Sequence, residues 1–188
     1  MKKLFLLALV AVSINFANAQ DYKPFQLYSG VGYAIPQGGG GILFDIEPAY
    51  RINDQISVGL RWEVAAMARV VGNQEASVSG TSSYTLNGKY YLENGSSFRP
   101  YVGAGLGAYG LASVSTGTNG AAAGAETKIG FYPRIGFDWG HFNINIDYNF
   151  IPSSEIQGTD TNGNPATFDV ANSYLGIRIG AFLFGGKK

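Results

Sequence analysis

The side chains able to do chemistry in this chain are charged residues set at alternate positions among apolar ones. Asp45, Glu47 and Arg51 follow that spacing; so do Arg61, Glu63 and Arg69, and further on Lys89, Arg99, Lys128, Arg134, Asp138, Asp147 and Arg178. Acids and bases are mixed along neighbouring segments. Strung along water, such groups form an ion path or a proton relay. Packed together without water they have to pair, because a lone buried charge is too costly to keep.

Three smaller signals point to other chemistry, and each is weak. Gly105–Gly110 matches G-x-G-x-x-G, but a dinucleotide site needs that loop to open a helix. Here it runs into a Ser/Thr/Gly stretch, so no cofactor is expected and the glycines read as space left for long neighbours. His141 is the sole histidine and sits in a tight turn expected to be periplasmic, away from the external lipid that a Ser/His hydrolase would have to reach; it is expected to be a turn or interface residue. Asp160-Thr161-Asn162-Gly163-Asn164 has the spacing of Ca²⁺ ligands but lacks the closing Glu of an EF-hand loop, and reads as a flexible turn. No catalytic or metal-binding residue is assigned, and the chain is expected not to be an enzyme.

The elements that must position the charges announce themselves by period two. In Gln55–Arg69, Ile56, Val58, Leu60, Trp62, Val64 and Ala66 share one parity while Arg61, Glu63 and Arg69 share the other. Successive side chains of a strand leave opposite faces, so this is a long β-strand with one apolar and one charged face. Phe44, Ile46, Tyr50 and Ile52 repeat the pattern against Asp45, Glu47 and Arg51, with only Asn53-Asp54 between the two strands. That spacing reads as a tight hairpin.

Composition narrows the class. Charged residues make up 14% of the chain, against a usual figure of about 25%. Net charge is zero, which gives no footprint for nucleic acid. Cysteine is absent, so disulfides and thiolate metal sites are excluded. Lys2 and Lys3, an apolar run from Leu4 to Val12, and Ala17-Asn18-Ala19 form a secretory signal with its cleavage site. Residues 1–19 are therefore expected to be a signal peptide and 20–188 the working domain.

That domain divides into eight alternating segments: about 24–35, 42–52, 55–69, 79–92, 98–112, 126–139, 142–150 and 170–184. Long polar connections are expected at 36–41, 71–78, 113–125 and 152–169, and tight turns at 53–54, 93–96 and 140–141. Pro48, Pro100 and Pro133 lie on the apolar parity, where they predict bulges or missing ladder bonds.

Two regularities decide between lipid and water on the apolar face. No strand carries charge on both parities, as expected where a lipid-facing Arg or Lys costs roughly 2–4 kcal/mol. Long and tight connections alternate, the rhythm of a barrel with short periplasmic turns and long external loops. Tyr50, Tyr90, Phe98, Trp139 and Phe142 flank the tight turns, where an interfacial aromatic girdle belongs. A soluble lipocalin-like ligand carrier would instead need an apolar interior and leave Arg, Glu and Asp outside.

With FRPYVGAGLGAYG in the fifth segment and SYLGIRIGAFLF in the last, the chain resembles the small OmpA/OmpX-type outer-membrane β-barrels over about 22–184. The resemblance implies an all-β, eight-stranded antiparallel transmembrane barrel of the cell outer membrane, with membrane lipid as its main partner. An eight-strand bore is just wide enough for side chains, so a paired charge network is favoured over a conducting pore. The expected role is structural or surface-interacting, with any external partner met by the loops at 71–78, 113–125 and 152–169. A narrow-pore transport protein is the alternative.

Overall fold

A computed structural model describes residues 23–71, 75–92, 97–117, 120–159 and 165–185. The expected signal peptide lies outside the described residues, as do the turn at 93–96 and the Asp160–Asn164 segment. Ten strands follow in order: β1 Phe25–Pro36, β2 Gly39–Arg51, β3 Ile56–Val71, β4 Glu75–Tyr91, β5 Phe98–Gly117, β6 Gly120–Trp139, β7 Phe142–Asn149, β8 Ser154–Thr159, β9 Pro165–Val170 and β10 Tyr174–Phe184. Eight of them close into an antiparallel barrel in the order β1-β10-β7-β6-β5-β4-β3-β2, and β8 and β9 form a separate two-stranded sheet.

The period-two pattern sets which way each side chain points. In β7 the sequence FNINIDYN alternates exposed and buried at every step. Register lines the outward apolar residues up from strand to strand. Leu60 pairs with Leu86, Leu86 with Leu106 and Leu106 with Phe131. On the same outward face, around the rest of the barrel, Ile135, Ile146, Ile177, Tyr33 and Ile42 follow one another across β6, β7, β10, β1 and β2. Leu60, Leu86, Leu106 and Ile135 are each about 60% exposed. A continuous apolar belt therefore faces outward and the charged parity faces in, the inverse of a soluble ligand-carrying barrel.

Several expected loops are strand instead. The connection expected at 36–41 is a two-residue turn, Gln37-Gly38, in which Gly38 takes a φ of 75° that favours glycine. The first connection thus breaks the expected alternation of long and tight. β3 and β4 run into the expected 71–78 loop, and β5 and β6 stay paired out to Gly117 and Gly120. The expected loop at 152–169 contains the β8–β9 hairpin. In these stretches the apolar alternation of the sequence fades, so Ser, Thr, Gly and Ala read as loop. A backbone ladder needs no apolar side chain to continue.

The prolines make no bulges. β5 and β6 keep one register through Pro100 and Pro133. The β2–β3 ladder skips from Ile46–Trp62 to Ala49–Gly59 around Pro48 without shifting, and continuous β6–β7 pairing stops at Arg134–Asp147, next to Pro133. Missing bonds, not bulges, absorb the absent N–H. The register shift falls elsewhere, between Leu27 and Tyr28 at the β1–β10 closure.

Candidate functional site

The inward parity brings the charged residues together inside the barrel. Asp45, Glu47, Arg51, Arg61, Glu63, Lys89, Arg99, Arg134, Asp138, Asp147 and Arg178 are all buried, at 5% exposure or less. Asp147 is the hub. Its Oδ2 lies 2.6 Å from Arg61 Nη1 and 2.5 Å from Arg178 Nη1, with Arg134 Nε at 3.5 Å. Glu63 takes a second guanidinium nitrogen of Arg178, a hydrogen bond from the Tyr174 hydroxyl, and an ion pair with Arg61 at 3.5 Å. Glu47 closes the set between Arg134 at 2.8 Å and Lys89 at 2.5 Å. These contacts join β2, β3, β4, β6, β7 and β10 across the bore.

Asp45 stands apart in this layer. Neither of its oxygens takes a hydrogen bond, and its nearest cationic partner is Arg178 Nε at 4.0 Å. Asn149 extends the network, donating to Asp147 Oδ1 at 2.8 Å and accepting from Arg61 at 3.0 Å and from the Tyr109 hydroxyl at 2.9 Å. Toward the tight turns, Arg51 and Arg99 lie over the Tyr91 ring at 4.6 and 4.1 Å, and Asn143 donates to Asp138 at 2.6 Å. Arg99 also donates to the Asp54 carbonyl.

Two expected members sit differently. Lys128 lies at the loop-side mouth, where it pairs with Glu126 at 3.0 Å and donates to the Ser153 carbonyl. It does not touch the central layer. The side chain of Arg69 lies outside the described residues.

The tyrosines are the part that charge spacing missed. Tyr28, Tyr91, Tyr101, Tyr109, Tyr132 and Tyr174 are fully buried on the same inward parity. Arg61 stacks on Tyr132 at 3.8 Å, and Lys89 faces Tyr101 at 5.3 Å. Inward glycines make the room. A Cβ on Gly105 would stand 2.3 Å from the Tyr132 ring, one on Gly130 2.9 Å from Tyr109, and one on Gly180 2.6 Å from Tyr28. The signal was in the sequence as Gly and Tyr sharing the charged parity. G-x-G-x-x-G accordingly lies within β5, where it serves packing and opens no helix.

Above the charge layer, Ala34, Leu43, Ala65, Met67, Tyr109, Ile151 and Tyr174 form a buried apolar cluster that caps the lumen on the loop side. A layer of ion-paired charges beneath this cluster can hold the walls together, and an eight-strand bore is just wide enough for such side chains to fill. The outer surface carries the remaining expected residues: Tyr90, Phe98, Trp139 and Phe142 are exposed and Tyr50 half-buried, all near the tight turns. His141 is exposed in the two-residue turn after β6, its carbonyl accepting from Phe182 N at 2.8 Å. Among the described residues no group of three or more His, Cys, Asp or Glu side chains is placed to hold a metal.

No protein-family model matches this chain, and no curated protein matches it. Solved structures do. Neisserial surface protein A aligns with a TM-score of 0.55 at 15% identity, over 89% of this chain and 99% of its own. The outer membrane protein OprG of Pseudomonas aeruginosa aligns with a TM-score of 0.54 at 15% identity, over 87% and 96%. Ail, the attachment invasion locus protein of Yersinia pestis, gives 0.53 at 13%, over 85% and 99%. At such identities the likeness is one of fold, and together with the outward belt and inward charges it is unambiguous: this chain has the fold of the small eight-stranded outer-membrane β-barrels.

Proposed function

We propose that the chain is exported by its N-terminal signal, inserts in the cell outer membrane, and serves there as a structural or surface-interaction protein acting through its loop-side rim. One observation carries this reading: the bore is occupied by the Asp147-centred ion-pair layer beneath an apolar cap, which leaves the rim as the surface for recognition. That rim is built by the outward extensions of β3–β6 and by the β8–β9 hairpin, which carries exposed Glu155 and Asp169. The Yersinia protein that shares the fold is named for attachment and invasion. A non-enzymatic role follows from the same reading.

The test replaces Ser153–Thr167 by a short Gly/Ser turn. The expected outcome is a barrel that still shows heat-modifiable migration, while adhesion of intact cells or capture of a surface partner changes. Unchanged adhesion, together with porin-sized conductance of the parent protein, would instead favour transport. Protease added to intact cells should cut within 152–169 and spare 93–96; cleavage at the short turns alone would invert the topology.

A further inference from the structure

β6 has a complete partner on one side and an incomplete one on the other. It pairs with β5 along its whole length, out to Gly117–Gly120. Its ladder with β7 covers only Arg134–Trp139, followed by a lone bridge between Phe131 and Phe150. Both bonds of that bridge are made, Phe131 N to Phe150 O at 3.1 Å and Phe150 N to Phe131 O at 2.8 Å. Hydrogen-bonded pairs in an antiparallel ladder recur every second residue. The neighbouring bonding positions are therefore Pro133 opposite Tyr148 and Ile129 opposite Pro152. Each contains a proline, which has no N–H to give. Past the second, residues 120–130 of β6 have no strand partner on this edge among the described residues.

The chain that would fill the edge is close by. Ser154 donates to Glu126 at 2.6 Å, and Lys128 donates to the Ser153 carbonyl. Asn172 holds the Pro152 carbonyl at 2.7 Å and the Ser154 hydroxyl at 2.8 Å. β8 starts at Ser154 and pairs only with β9, in a six-residue ribbon; a lone two-stranded ribbon is marginal in water. Continuing the Phe131–Phe150 register places Glu126 opposite Glu155 and Gly124 opposite Gln157. Laid along the unpaired edge of β6, β8 would thus continue β7 in register. One thing opposes that pairing: Glu126 and Glu155 would meet at a non-hydrogen-bonded position, where Cα atoms approach to about 4.5 Å and like charges repel. In the observed arrangement Glu126 lies beside Lys128 at 3.0 Å and accepts from Ser154.

We propose that β8 exchanges between two partners, β9 and the free edge of β6, and that the Glu126 and Glu155 carboxylates set the balance toward the hairpin. Pairing with β6 would complete the wall above the lone bridge, so the device opens and closes a notch in the rim. It rests on strand register alone and stands whatever the rim binds.

The chain has no cysteine, so an introduced pair reports without background. In the full barrel reconstituted in lipid vesicles, with folding checked by heat-modifiable migration, Gly124→Cys with Gln157→Cys reports the zipped state. Gln157→Cys with Thr167→Cys reports the hairpin. Under mild oxidation both cross-links should form, and Glu155→Gln should raise the first by roughly two- to fivefold and lower the second. Folded barrels that form the 157–167 link and never the 124–157 link would overturn the proposal. So would a 124–157 yield indifferent to Glu155→Gln.

Discussion

Asp147 shows at the scale of one residue why the interior tolerates charge. Removing a single carboxylate there would strip partners from Arg61 at 2.6 Å and Arg178 at 2.5 Å, both fully buried. A buried ion left without its partner costs about 3–5 kcal/mol, so Asp147→Asn should lower the stability of the folded barrel by about that much. Lys128→Gln, at the mouth, should cost about 0–1 kcal/mol. Urea unfolding from lipid vesicles measures both; equal losses at the two sites would mean that the central layer is hydrated and not closely paired. The same scale explains the inward glycines. Arg61 reaches its place over Tyr132 because Gly105 contributes no atom where that ring lies.

At the scale of the strand, the outward row is what lipid selects. Leu60 lies in the outward apolar belt of β3, 60% exposed and level with Leu86 and Leu106 on the next two strands. Leu60→Arg should therefore destabilise insertion by roughly 2–4 kcal/mol. Arg61→Leu, one residue on, should cost less, because Asp147 keeps Arg178 and Arg134 as partners. Folding yields in thick and thin bilayers measure the pair. Normal insertion of Leu60→Arg in both would reverse the assignment of faces. Strand ends follow a different rule: Pro133 interrupts the β6–β7 ladder before the Phe131–Phe150 bridge and Pro152 stands at the next bonding position past it, each without an N–H to give.

For the whole molecule, closure turns eight amphipathic strands into a stapled cylinder. Ion pairs cross the bore from β3 to β7, from β2 to β6 and from β10 to β3, while others tie β10 to its neighbour β7 and β2 to β4. The apolar cluster around Leu43, Met67 and Ile151 lies on the loop side of this layer, in a bore of a size that side chains can fill. Planar-bilayer recordings of the purified barrel should show no stable steps of porin size. Reproducible large steps would mean that the cap and charge layer part in the membrane, and would move the function toward transport.

The sequence alone determined the eight barrel strands, the direction of each face and the charged part of the interior other than Lys128 at the mouth and Arg69, whose side chain is not described, because period two is a local property. A residue such as Arg178 needs only its neighbours Ile177 and Ile179 to declare its side. It did not determine partners. Asp147 takes Arg134 and Arg178 from its neighbours β6 and β10, but Arg61 reaches it from β3 on the opposite wall, a meeting that closure alone decides. The tyrosine packing was half visible, since Gly and Tyr share the charged parity, but which glycine yields to which ring depends on cross-strand register. The extents of β5 and β6 were hidden for another reason: beyond the lipid belt no apolar row marks a strand, and only the backbone ladder of a neighbour carries it on. The β8–β9 hairpin and the unfilled edge of β6 belong to the tertiary structure for that same reason, since hydrogen bonds between backbones leave little trace in side-chain chemistry.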